Sequence, residues 1–187
     1  MRYLASVSYD GSKFYGFQRL KNKKSVQGEL EKVLTTINKT IVLVKGAGRT
    51  DRGVHALDQK IHFDLNIKID IPHLLLAINS RLDSAVRVNY IEEVSSDFHA
   101  RFDCIQKKYQ YIINMGEYDL FIDDYVYNYN KKLNIKNMKK ASKYLLGAHS
   151  FKVFTSGERE NYNSIISKVD FKRHGSMLYI TFTGVSF

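Results

Sequence analysis

The order in which two-residue alternation gives way to helical spacing constrains the fold of this chain more than any other feature of its sequence. Residues 2–9 (Arg-Tyr-Leu-Ala-Ser-Val-Ser-Tyr) alternate and stop at Asp10-Gly11, which predicts a strand and a turn. A polar, basic loop runs to Lys24. Ser25 is placed to cap a helix that carries Val26, Leu30, Val33, Leu34 and Ile37 on one face. Residues 40–45 predict a short β-branched strand, 46–56 a glycine-containing loop, and 59–65 a second alternating strand. Residues 69–82 predict a helix with Pro72 near its first turn, where a missing N–H costs little, and 85–94 predict a strand. The order β-α-β-β-α-β is the split βαβ arrangement of ferredoxin-like folds.

After residue 104 the pattern restarts. Residues 108–114 and 125–129 read as strands, and Tyr125, Tyr127 and Tyr129 share one strand face, as core or sheet surface. Asn134 can cap a helix with Ile135, Met138, Ser142 and Leu145 on one face and Lys136, Lys139, Lys140 and Lys143 elsewhere. Residues 164–172 and 177–183 read as a hairpin around His174-Gly175. This second half, β-β-α-β-β, is one helix and one strand short of another split unit. The expected fold class is therefore α+β, with two ferredoxin-like halves (1–97 and 98–187) joined into one mainly antiparallel sheet flanked by helices, the second half incomplete. In an incomplete half, Leu178, Ile180, Phe182, Val185 and Phe187 are expected to be partly uncovered.

Lysine and arginine number 29 against 19 acidic residues, a net charge of +10 in 187 residues. Such an excess favours polyanionic partners, whether RNA, DNA or a membrane surface. An Asn-, Ile- and Tyr-rich composition, with one Pro and no Trp, also inflates lysine through base composition, so charge raises the question without settling it. No apolar run approaches the ~20 residues of a membrane span, and the chain enters its first strand without a signal-peptide pattern. A single cysteine, Cys104, fits a reducing cytoplasm.

Chemistry concentrates in Gly46-Ala47-Gly48-Arg49-Thr50-Asp51-Arg52-Gly53-Val54-His55-Ala56. The plain reading is a tight strand connection whose glycines supply positive φ and whose Asp51 accepts backbone N–H bonds. There is no Gly-Lys-Ser/Thr ending, so this is not a P-loop. An arginine two residues before a carboxylate, between glycines that let a polyanion approach the backbone, also suits a loop that enters nucleic acid. The six histidines show no zinc spacing, no metal site is expected, and there is no nucleophile-elbow motif.

Residues 48–55, Gly-Arg-Thr-Asp-Arg-Gly-Val-His, resemble the Gly-Arg-Thr-Asp-Ala-Gly-Val-His motif of TruA-type tRNA pseudouridine synthases. Further segments are similar in the same order: 9–19 (Tyr-Asp-Gly-Ser-Lys-Phe-Tyr-Gly-Phe-Gln-Arg), Ser25-Val26-Gln27-Gly28 with Leu30-Glu31, 98–102 (Phe-His-Ala-Arg-Phe), and 107–111 (Lys-Lys-Tyr-Gln-Tyr). The resemblance implies the pseudouridine synthase fold, with a basic cleft holding Asp51, and isomerisation of uridine in the anticodon arm of tRNA by a cytoplasmic homodimer. Asp51 would be the catalytic carboxylate. Arg49 would stabilise a flipped nucleotide, Tyr109 would stack on the uracil, and Arg101 would pair with Asp51. Lys13, Arg19, Lys21, Lys23, Lys24, Arg52 and His55 are the expected RNA contacts, with loop packing equally open for His55. Breaking the C1′–N1 bond and joining C5 to C1′ changes no oxidation state, so no cofactor is expected. Arg52 departs from the alanine usual in the family. Family members also continue past the position of Phe187 into a helix with a Met-Val-Arg motif and a final strand, which falls where the second half looks incomplete. Two other readings stay open: a catalytically silent RNA-binding remnant, and a DNA-binding or membrane-surface protein, which explains the charge but not the loop.

Overall fold

The computed structural model describes residues 1–155, 158 and 160–185. It divides into two compact units, Met1–Cys104 and Ile105–Phe187. The division falls later than residue 97 because residues 98–103 are pinned to the first unit, as described below.

The first unit contains β1 (Arg2–Tyr9), α1 (Val26–Asn38), β2 (Lys45–Gly46), β3 (Ala56–Asp64), α2 (Ile71–Asn79) and β4 (Val86–Val94). The sheet order is β2-β3-β1-β4 and every pair is antiparallel. That is the split βαβ topology expected from the sequence. Both helices start as their sequences dictate. The Ser25 side chain accepts from the Gly28 N–H (3.3 Å), and Asp70 caps α2 with Pro72 in the first turn. The core lies between the helices and the sheet face that carries Tyr3, Ala5, Val7, Ile61, Phe63, Val86 and Val88, packed against Leu30, Leu34, Leu74 and Ile78.

The strand expected over 40–45 is reduced to Lys45–Gly46. Residues 41–44 still alternate, with Val42 and Val44 buried and Ile41 and Leu43 exposed. Their peptide groups, however, are bound by the helix instead of a strand. The Val42 N–H donates to Thr35 Oγ1 and the Val44 N–H to Glu31 Oε1, each at 3.0 Å. Side chains of α1 have taken the donors that a ladder would need.

The second unit contains β5 (Lys107–Asn114), β6 (Tyr127–Asn128), α3 (Ile135–Ser142), β7 (Gly147–Ser150), β8 (Asn163–His174) and β9 (Met177–Val185). Its sheet order is β6-β5-β9-β8-β7, antiparallel except for the short β5–β6 pair. β8 and β9 form the expected hairpin, turned at Gly175 (φ +58°). Asn134 caps α3 through the Asn137 N–H; Ile135, Met138 and Ser142 are its half-buried residues, and Leu145 is half-buried in the 3-10 turn that follows. The strand expected over 125–129 is cut to two residues, and Tyr125, Tyr127 and Tyr129 are exposed.

β4 pairs only with β1, and β5 with β6 and β9, so hydrogen bonding builds a four-stranded sheet in the first unit and a five-stranded one in the second, both mainly antiparallel. The exposure expected along the last strands is corrected in part. Leu178 and Ile180 are buried; Phe182 and Val185 are half-buried, and Phe187 lies outside the described residues. Among the described residues no helix is long and apolar enough to cross a membrane.

Candidate active site

The segment carrying Asp51 is the connection between β2 and β3, and its peptide groups are fixed from three sides. The Ala47 N–H donates to Lys60 O (2.8 Å) and Gln59 Nε2 donates to Gly48 O (2.8 Å), which holds the loop to β3. The Phe17 N–H donates to Thr50 O (3.0 Å), and the Tyr9 hydroxyl lies 2.8 Å from Thr50 Oγ1, which ties the loop to the segment after β1. The Gly11 N–H donates to His55 Nδ1 (3.1 Å), which ties its far end to the turn at 11–13. Close approach explains two glycines. A Cβ on Gly11 would sit 2.1 Å from Val54 O, and Gly16 combines φ +94° with a Cβ position 2.8 Å from Thr50 O.

The helix start explains the Ser-Val-Gln-Gly segment. Gln27 accepts from the Arg19 N–H (2.8 Å) and donates to Val44 O (2.9 Å) and Glu31 Oε1 (3.0 Å). Buried Glu31 also accepts from Arg19 Nη1 (2.8 Å) and from the Val44 N–H. One amide and one carboxylate on α1 thus brace both the basic loop and the residues leading into β2. A buried carboxylate is tolerated because each of its oxygens accepts from a charged or amide donor.

Asp51 and Arg49 stand exposed at the loop tip. The Asp51 carbonyl accepts from the Val54 N–H (3.2 Å), closing a turn in which Gly53 takes φ +83°. Arg52 lies over the Tyr15 ring at 4.8 Å. His55 is half-buried, accepting from Gly11 with Asp10 Oδ1 3.2 Å away, so the structure gives it a loop-packing position. The basic loop divides. Arg19 is held by Glu31 and Lys24 by Asp83 (2.6 Å), Lys23 sits 5.0 Å from the Tyr15 ring, and Lys13 and Lys21 are exposed. Tyr109 belongs to the second unit, half-buried on β5 opposite Phe182.

The expected pairing of Arg101 with Asp51 is not found among the described residues. The Arg101 guanidinium lies 6.0 Å from the Phe102 ring instead. Both partners are exposed, and an exposed ion pair gains at most ~1 kcal/mol, too little to fix two mobile side chains in one geometry.

What the structure does fix is the backbone beneath Arg101. His62 on β3 is buried, and its Nδ1 accepts from the Ala100 N–H (3.1 Å). Its ring packs edge-on against His99 at 4.6 Å, and His99 stacks on Phe102 at 4.3 Å. Arg2, in a bidentate pair with Asp64, donates to Phe98 O (3.0 Å). Burial, with His99, Arg2 and Lys45 adding positive potential, pushes the His62 pKa down to about 4, although Asp64 opposes it. A neutral imidazole with a free Nδ1 lone pair is the form the Ala100 bond requires. Periodicity gave no sign of His62, Gln27, Glu31 or Tyr15. For the last three the signal was their place inside the segments quoted above.

A carboxylate at the tip of a braced, glycine-bearing loop, with arginines and lysines nearby on an α+β scaffold, is an arrangement able to offer acid–base or nucleophilic chemistry to a polyanion. A sequence profile described as tRNA pseudouridine synthase matches residues 5–103. Three proteins named tRNA pseudouridine synthase A are similar over nearly the whole chain. Those of Listeria monocytogenes and Streptococcus agalactiae are 39% and 38% identical over all of this chain, covering 77% and 74% of their own lengths. That of Borreliella afzelii is 37% identical over 98% of this chain and 76% of its own length. The chain belongs to the tRNA pseudouridine synthase family.

Proposed function

We propose that this chain isomerises uridine to pseudouridine in tRNA, with Asp51 as the essential carboxylate and the anticodon arm as the region modified. The observation that carries this reading is the exposed Asp51 side chain on a loop braced from three sides, within a chain that belongs to the family. The reaction breaks C1′–N1, turns the uracil and joins C5 to C1′; C5 loses a proton and N1 gains one. A carboxylate serves it as nucleophile at the sugar or as base toward a sugar proton. The target base must first leave its stack, at a cost of a few kcal/mol.

In this reading Arg49 stabilises the flipped nucleotide, Tyr109 stacks on the uracil, and Arg101 binds substrate from the segment that His62 anchors. Exposed Lys13, Lys21, Lys23 and Arg52 meet phosphates, while Arg19, Lys24 and His55 shape the loops that present them. Assembly as a homodimer and work in the cytoplasm complete the proposal; the lone Cys104 fits a reducing compartment. The test is release of the C5 label from uridine-tritiated tRNA. Label release by the wild-type chain that vanishes with Asp51→Asn is the expected result. tRNA binding without label release by the wild-type chain refutes isomerisation and leaves a silent RNA-binding protein.

A further inference from the structure

Two cations converge on one exposed aromatic ring beside the catalytic loop. Lys23 Nζ lies 5.0 Å and Arg52 Cζ 4.8 Å from the centroid of Tyr15, and among the described residues no carboxylate pairs with either cation. Bringing two like charges to the same ring is unfavourable, and each cation–π contact returns only ~0.5–1 kcal/mol at an exposed site. The backbone that carries the ring is held. The Tyr15 N–H donates to Lys24 O (2.9 Å), and next to it Gly16 packs against Thr50, Asp51 and Arg52 so closely that a Cβ would lie 2.8, 3.3 and 3.4 Å from their backbone atoms. The Tyr15 backbone therefore keeps its place relative to the Asp51 loop, and Arg52, the residue after Asp51, lies over its ring. A guanidinium and an ammonium, each within 5.0 Å of one ring centroid and without an acidic partner among the described residues, form a site whose missing component is an anion.

We infer that Tyr15 is a positioning residue that holds Arg52 and Lys23 as a two-cation clamp for one backbone phosphate of the RNA, next to the nucleotide presented to Asp51. The inference rests on the RNA-modifying reading above. Its ligand is a phosphodiester of the polynucleotide, which two donors of this kind suit better than a base edge, because a phosphate offers charge and several acceptors to both. The clamp also gives Arg52 a task away from the chemistry: stacked on Tyr15, its guanidinium is kept for the RNA backbone instead of neutralising Asp51.

The test measures tRNA affinity of the full chain across a salt series, alongside label release under steady-state conditions. Arg52→Ala and Tyr15→Leu should each weaken binding about two- to fivefold and make the salt dependence shallower by ~0.7–0.9 log unit per log unit of salt, the signature of one lost phosphate. KM should rise by more than kcat falls. Tyr15→Phe, which keeps the ring, should restore the affinity and slope lost in Tyr15→Leu; a merely structural role for the hydroxyl would leave it unrescued. Arg52→Lys checks the charge independently of any folding effect at Tyr15, and should retain the slope. An Arg52→Ala variant with wild-type affinity and slope, in a chain that still releases label, overturns the clamp alone. A chain whose slope depends on Arg52 but that releases no label refutes isomerisation and leaves the clamp in place.

Discussion

The two units of this molecule are both α+β, and they are held together in different ways. In the first, helices cover one sheet face and nearly all the buried apolar residues form a single cluster from Tyr3 to Ile91. In the second, the buried apolar side chains among the described residues are Ile166, Leu178 and Ile180, while Tyr111, Tyr127, Tyr144 and Phe154 stand largely exposed. The contrast shows where precision resides. The loop carrying Asp51 is braced by Lys60, Gln59, Tyr9 and Phe17, every one of which belongs to the packed unit. The family profile, too, matches residues 5–103 and stops there. Among the described residues the second unit is a five-stranded sheet, with Tyr109 on β5 and few buried apolar side chains.

Several measurements would break or sharpen that contrast, and the largest effect belongs to Asp51. Asp51→Asn should lower label release by ~10²–10⁴-fold while tRNA affinity stays within a few-fold. A variant that keeps a tenth of wild-type turnover would move the essential carboxylate elsewhere. Next comes packing. Leu30→Ala, at a fully buried position, should cost about 2–5 kcal/mol in urea unfolding, whereas Tyr111→Ala, 62% exposed, should cost within about 0.5 kcal/mol. Equal costs would mean that the second unit is as tightly packed as the first.

Tyr109 tests what the looser unit supplies. If its ring stacks on the substrate base, Tyr109→Leu should lose ~1–3 kcal/mol of transition-state binding, and Tyr109→Phe should retain it. Equal failure of both variants would assign the work to the hydroxyl; equal success would leave Tyr109 as sheet packing. The smallest effect concerns pH. His62 has its folded pKa lowered to about 4, so the unfolded chain binds the proton first as pH falls below about 6.5. Its stabilising share is complete above pH 6.5 and is lost as pH falls toward 4, by less than about 1.4 kcal/mol per pH unit. His62→Gln, which cannot titrate, should flatten urea stability between pH 7 and pH 5. A slope identical to wild type would show that His62 does not govern it.

Helices and hairpins were legible where the signal is local. Ser25 and Asn134 announce α1 and α3, and His174-Gly175 marks the β8–β9 turn. Strands were misread where side chains compete for peptide groups, as at Val42 and Val44, or where pairing needs no apolar alternation, as in the wholly exposed β7. The Asp51 loop was legible because its residue types are unusual together. The supports around it were not. The bond from Ala100 to His62, or the meeting of Tyr15 with Arg52, joins residues far apart in the chain that share no period.

Gly11 has a consequence for anyone who would exchange parts between related enzymes. Its Cα lies against the peptide of Val54 so closely that even a methyl group would fall 2.1 Å from the carbonyl oxygen. Two main chains meet there with no side chain between them to absorb a misfit. The Asp51 loop and the turn at 11–13 therefore constitute one transplantable part: a graft that moves residues 47–55 alone inherits a foreign surface at Gly11, whereas a graft that also carries residues 10–17 brings its own socket.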